Sequence, residues 1–231
     1  MALKFLGVGG AFNPEMGNNS AYFIRDKHLY LLDCGELVFG ELMRRGLLDD
    51  ITGLTVLLTH LHADHCGSLG TLFSYVMIKL GIKPTLVHPG NGAPALLALM
   101  GVAAPRYRLL SALTDGSITA APTPVRHSAG MTAYAYTITM DGQTLYYSGD
   151  AGDPPSPEIL NGLRSGSIAH AYLDVCDFGG NPPPNPGHLP LSVLAAIAEP
   201  ALRARITCMH LNRDYRTLAE SMGFQIAHKE A

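Results

Sequence analysis

Apolar residues recur along this chain in short runs separated by clusters of Gly, Pro, Asn and Asp, a pattern that predicts short strands interleaved with helices. Residues 3–8 read as an opening strand, and residues 20–24 and 28–33 as a hairpin turning through Arg25-Asp26-Lys27. A helix follows over 36–45, with Gly46 placed to end it and Arg44 and Arg45 at the negative end of its dipole. Leu54-Thr55-Val56-Leu57-Leu58 is apolar throughout and predicts a buried strand. Beyond it Leu69, Leu72, Phe73, Val76, Met77 and Leu80 fall on one face of a helix. A strand at 85–87, a helix over 93–100 and an irregular or edge segment at 117–121 come next.

Three strands are expected at 123–127, 133–140 and 144–148, the last two joined by Asp141-Gly142, a strong two-residue hairpin signal. A strand at 169–175 precedes Asn181-Pro182-Pro183-Pro184-Asn185-Pro186-Gly187, which cannot form regular structure. A helix over 189–198 with Pro190 in its first turn, a strand at 205–209, and a last helix and short strand complete the chain. Hairpins come first and then strands alternate with helices in both halves, which suggests an α/β protein of two packed mixed sheets with helices outside. No internal repeat or linker breaks residues 1–231, so a single domain is expected.

Composition narrows the class. Hydrophobic residues make up 47% and charged residues 15%, which describes a globular chain with a substantial core. A formal net charge of −3 offers no broad cationic surface for a long polynucleotide. Cys34, Cys66, Cys176 and Cys208 form no CxxC pair and read as buried free thiols of a reducing compartment. The N-terminus lacks a signal-peptide pattern and no apolar run nears the ~20 residues of a membrane span, so a soluble cytoplasmic protein is expected. Gly7-Val8-Gly9-Gly10 matches neither phosphate-loop motif and reads as a flexible loop at a strand end.

The chemistry concentrates in Thr59-His60-Leu61-His62-Ala63-Asp64-His65-Cys66-Gly67, placed on a loop between the buried strand and the amphipathic helix. Alternate residues His60 and His62 can converge on one ion while Asp64 and His65 turn toward a second; burying such a cluster without a metal is costly. Further ligand types stand where other strands end: His127, Asp150 and His210.

The order H-x-H-x-D-H, a later His, a later Ser-Gly-Asp and a final His resembles the metallo-β-lactamase fold superfamily across nearly the whole chain. Leu31-Leu32-Asp33-Cys34-Gly35-Glu36 is similar to the branch containing tRNase Z and the smaller phosphodiesterases. The resemblance implies an αββα sandwich. It gives one metal His60, His62 and His127, and the other Asp64, His65 and His210, with Asp150 bridging. Five imidazoles and two carboxylates suit two divalent ions, zinc first, with manganese or iron as alternatives. Asp33 matches a position that supports the site from outside the ligands, or else is a strand-end turn residue.

A metal-activated hydroxide would be the nucleophile. His188 matches the general acid of the family, partnered by a carboxylate for which Asp174 is the best match and Asp177 a competitor; the counterpart is usually Glu. Asp64 counts with His188 and Asp174 among the catalytic side chains. Summing two divalent ions, two carboxylates and a hydroxide leaves a small positive charge in the pocket, which favours a small anionic substrate. The reading is a binuclear phosphodiesterase acting on a cyclic nucleotide or nucleotide-type diester. The alternatives are a tRNA 3′-processing endonuclease, disfavoured because no basic arm is present, and a thioester or lactone hydrolase, which would need no dedicated acid. No membrane partner is expected, and a homodimer is left open. Ser128-Ala129-Gly130-Met131 could offer backbone N–H groups to a phosphate. Arg213 either reaches the site mouth or is taken up by Asp214 or solvent.

Overall fold

The computed structural model describes residues 2–230. The chain divides into two compact units, Ala2–Ala112 joined by the C-terminal residues from Lys229, and Leu113–His228.

The first unit is built on a six-stranded sheet. In chain order it contains β1 (Lys4–Gly7), β2 (Ser20–Arg25), β3 (His28–Leu32), α1 (Val38–Arg44), β4 (Gly53–Leu57), α2 (Ala63–Cys66), α3 (Leu69–Lys79), β5 (Thr85–Val87), α4 (Gly92–Leu99) and β6 (Arg108–Leu110). The strands lie in sequence order; β1 to β3 are antiparallel and β3 to β6 parallel. Asp26 and Lys27 both take positive φ, 50° and 62°, so the β2–β3 turn is the mirror-image kind that matches strand twist. After α1, the Gly46 N–H reaches Met43 O and the Leu47 N–H reaches Leu42 O, while Gly46 sits at φ 62°; this is the glycine stop read from the sequence. Every residue of β4 is buried, and Leu54 and Val56 join Leu31, Leu86, Phe73, Val76 and Leu97 in one apolar core.

Two expectations change here. Ala63–Cys66 is a single helical turn rather than part of a loop, because the Cys66 N–H closes on His62 O and the Gly67 N–H on Ala63 O. The glycines after β1 are packed rather than loose. A Cβ on Gly7 would stand 2.3 Å from Asn18 O, and the Gly9 N–H donates to Gly17 O.

The second unit carries β7 (Leu113–Asp115), β8 (Ile118–Val125), β9 (Ala133–Met140), β10 (Gln143–Tyr147), α5 (Pro157–Ser165), β11 (His170–Cys176), β12 (Leu189–Pro190), α6 (Leu191–Ile197), α7 (Pro200–Arg203), β13 (Ile206–Met209), α8 (Arg216–Ser221) and β14 (Gln225–Ile226). Its sheet runs β14-β13-β11-β10-β9-β8-β7, with β12 alongside β11. Pairing is antiparallel from β7 to β10 and parallel from β10 to β14. Asp141 and Gly142 take φ 50° and 79°, as the hairpin signal requires.

The segments read separately at 117–121 and 123–127 are one strand, β8. Pro122 and Pro124 share one side of it, and β7 pairs only as far as Ala120, so neither proline breaks a ladder. The helix expected over 189–198 is shorter. Leu189 and Pro190 instead extend beside Val175 and Cys176, and Pro190 becomes the residue before the first turn. The architecture is thus two mixed sheets with helices, the class read from the sequence. Among the described residues no helix is long and apolar enough to cross a membrane.

Candidate functional site

In the first unit the ligand-type residues follow β4: His60 and His62 lie on the loop after the strand, and Asp64 and His65 on the helical turn α2. Asp33 stands just past β3 at φ 63°, a left-handed conformation that Asp tolerates better than most residues. Its Oδ1 accepts the Thr59 N–H at 2.8 Å, and its Oδ2 accepts the Thr59 hydroxyl at 2.9 Å and His65 Nδ1–H at 2.8 Å. Burial pushes the Asp33 carboxyl up, and the bonds from His65 and Thr59 oppose that rise.

Because the Thr59 hydroxyl donates to Asp33, its oxygen accepts from His60 Nδ1 at 3.0 Å, which leaves His60 Nε2 as a lone pair. That Nε2 is 3.0 Å from His62 Nδ1. His65 Nε2 lies 3.3 Å from Asp64 Oδ2. The helical turn α2 is held close: Cys34 N–H donates to His65 O at 2.7 Å, and a Cβ on Gly35 would fall 1.9 Å from Asp64 O. His60 and His65 are fully buried, Asp64 nearly so, and His62 half-buried.

In the second unit His127 follows β8 and its Nδ1 donates to Gly187 O at 2.8 Å, which turns Nε2 toward Asp150 Oδ2, 3.7 Å away. Asp150 follows β10 across Ser148 and Gly149, whose φ of 56° makes the turn. Its Oδ2 is 3.4 Å from Nε2 of His210, itself at φ 58° after β13. Asp174 projects from β11 with its side chain fully buried; its Oδ2 accepts the Ala151 N–H at 3.0 Å and His188 Nδ1 at 2.7 Å. The rings of His188 and His210 stack at 4.9 Å. Asp150, Asp174, His188 and His210 each offer a ligand-type atom within 4.8 Å of the others. Burial works to strip the proton from His188, yet the bond and charge of Asp174, with Asp150 behind it, raise its pKa above the ordinary imidazole value.

These donors fit divalent cations by type. In each unit a second hydrogen bond fixes the ring nitrogen of a histidine that faces away (His60 on Thr59, His65 on Asp33, His127 on Gly187), leaving the other nitrogen to coordinate.

Other expected roles fall differently. Asp177 does not meet His188; it pairs with Arg213 Nη2 at 2.5 Å, and Asp214 pairs with Arg216 instead. Met131 N–H closes a turn on Ser128 O, so that amide is already engaged. His28, His88 and His170 hold Thr55 Oγ1, Leu58 O and Thr207 Oγ1, as structural histidines do. Thr59 and Ser148 carry more than their motifs suggested: Ser148 Oγ accepts the Asp174 N–H at 2.8 Å and so fixes the backbone of that carboxylate.

Over residues 1–230 the sequence matches the family described as Anti-Pycsar protein Apyc1. The chain belongs to that family. A relative of that name from Paenibacillus harenae is 36% identical over 87 residues, covering 37% of this chain and 35% of the relative. An Apyc1 relative from Saccharibacillus brassicae is 26% identical over 228 residues, covering 91% of this chain and 89% of its own length. The Paenibacillus match thus spans about a third of that Apyc1 protein. Among solved structures, the metallo-β-lactamase fold protein YhfI from Bacillus subtilis aligns with a TM-score of 0.72 at 15% identity, over 99% of this chain and 97% of that one. This Apyc1-family chain therefore has the metallo-β-lactamase fold.

Proposed function

We propose that the chain is a metal-dependent phosphodiesterase that hydrolyses a cyclic nucleotide or a similar small nucleotide diester. Two divalent ions, zinc first, would be held by His60, His62, Asp64, His65, His127, Asp150 and His210. Bound ions supply water of lowered pKa and Lewis-acid stabilisation of developing negative charge.

The observation that carries the reading is the 2.7 Å bond from His188 Nδ1 to the buried Asp174 Oδ2. An imidazole anchored at Nδ1 presents Nε2–H outward. That outward N–H is placed to protonate a leaving alkoxide. Asp174 fixes the ring orientation and stabilises the imidazolium; the Ala151 N–H and the Ser148 hydroxyl hold Asp174 itself. A ribose oxygen is a poor leaving group and benefits from such a donor, whereas a thioester or strained lactone does not.

Family membership supports the substrate class, since the name Anti-Pycsar points to removal of cyclic-nucleotide signals. The net charge of −3 and the lack of a basic arm favour a compact anion over a folded RNA. The test is kcat/KM on cyclic nucleotides, precursor tRNA, thioesters and lactones across a salt series with metal present. Cyclic nucleotides should lead with a shallow salt slope. Faster tRNA cleavage with a steep slope, or preference for thioesters, would replace this reading.

A further inference from the structure

Resting on the assignment of His188 as the acid, we propose that Arg126 is a positioning residue that sets the acid's reach by clasping its loop to the loop that carries Asp150. His188 is delivered by the proline-rich stretch 181–187, which has no strand or helix to hold it. Two neighbouring residues at the end of β8 take hold of that stretch immediately before His188. His127 Nδ1 donates to Gly187 O at 2.8 Å, and Arg126 Nη1 donates to Pro186 O at 3.1 Å.

The same guanidinium reaches the other way. Its Nε donates to Asp153 Oδ1 at 2.7 Å, and its Nη2 stands 2.6 Å from that oxygen. The Arg126 carbonyl accepts the Gly152 N–H at 2.8 Å, so backbone and side chain both bind the segment after Asp150. The fit is close enough to demand glycine: a Cβ on residue 152 would lie 2.2 Å from Pro186 O and 2.9 Å from Arg126 Nη2. Arginine suits the task because its planar fork serves a carbonyl and a carboxylate together, which a lysine ammonium on one stem does less well.

The side chains of Arg126 and Asp153 are 42% and 58% exposed, so their pairing contributes little to global stability. Its effect is on where His188 sits, and misplacement of a catalytic group by ~1 Å can cost on the order of 10²-fold in rate.

The experiment compares Arg126→Ala, Arg126→Lys and Gly152→Ala with His188→Ala, each metal-replete, on a cyclic nucleotide and on bis-p-nitrophenyl phosphate. Arg126→Ala should lower kcat on the cyclic nucleotide by ~10- to 100-fold. KM, metal content and Tm should stay near wild type, and the deficit on the activated aryl ester should be much smaller. Gly152→Ala should show the same leaving-group signature, Arg126→Lys should recover part of the rate, and Arg126→Ala combined with His188→Ala should fall no further than His188→Ala alone. If His188→Ala is sensitive to the leaving group while Arg126→Ala is silent, equally impaired on both esters, or additive with it, the clasp is wrong and the acid stands. If His188→Ala itself shows equal deficits on both esters, the acid assignment fails and the clasp with it.

Discussion

Asp33 Oδ2 and His65 Nδ1 lie 2.8 Å apart with both side chains fully buried, joining the end of β3 to the helical turn of the central motif. One carboxylate thereby fixes the start of the motif through Thr59 and its far end through His65. Asp33→Asn keeps the shape but sets an amide donor against at least one of the three donors that Asp33 accepts. Leaving a buried donor unsatisfied costs ~1–3 kcal/mol. Urea unfolding of the metal-free variant should show that loss. Metal titration should show affinity lower by ~10- to 100-fold. Wild-type affinity would remove Asp33 from any supporting role.

Metal content is the most direct check on the ligand set. Protein purified without chelator should carry close to two ions per chain by elemental analysis. Asp64→Ala should lose chiefly one of them, because in the proposed assignment His60, His62 and His127 would still hold the other. A chain that binds none after reconstitution would sink the ligand assignment.

His188→Ala should lower kcat on an unactivated diester by ~10²–10⁴-fold with metal content unchanged. The deficit should shrink with p-nitrophenolate, which leaves without a proton. Asp174→Asn should weaken the same step, since the His188 ring would lose its charged partner.

Acid stability should depend on Glu41. Burial works to raise its carboxyl, but Lys229 and Arg44 outweigh that and bring it from 4.5 to about 2. A carboxyl depressed in the folded state stabilises above its unfolded pKa, and that contribution disappears as pH falls through the folded one. The stability gap between wild type and Glu41→Gln should therefore be full above about pH 5 and close between there and about pH 2 in urea titrations. A gap that is flat over this range would show that the ion pairs contribute nothing.

Much of the frame is legible in the sequence, because its signals are local. The run Leu54–Leu58 reads as a buried strand since both of its faces are apolar, and Asp141-Gly142 reads as a hairpin since few residue pairs take two positive φ angles. No element was expected over Pro157–Ser165, although Pro157 and Glu158 in its first turn and Gly166 at φ 82° after its end are start and stop signals. The exposed strands β6 and β7 are too short to show a period. His188 and Asp174 could be matched by motif, but Arg126 could not. Its partners include a backbone carbonyl sixty positions away, and a carbonyl leaves no mark on the identity of the residue that bears it.

The edge of the six-stranded sheet is finished by the far end of the chain. Lys229 bridges in parallel to Phe5, the Glu230 N–H donates to Phe5 O, and Glu230 also takes the Tyr22 hydroxyl and the Lys4 ammonium. An uncovered β1 would offer the peptide groups that Lys229 and Glu230 now engage to any passing strand. Truncation after His228 should therefore add concentration-dependent self-association to the stability lost with the Lys229–Glu41 pair, with Lys4 and the Arg45 guanidinium on Phe5 O and Leu6 O left to guard the edge.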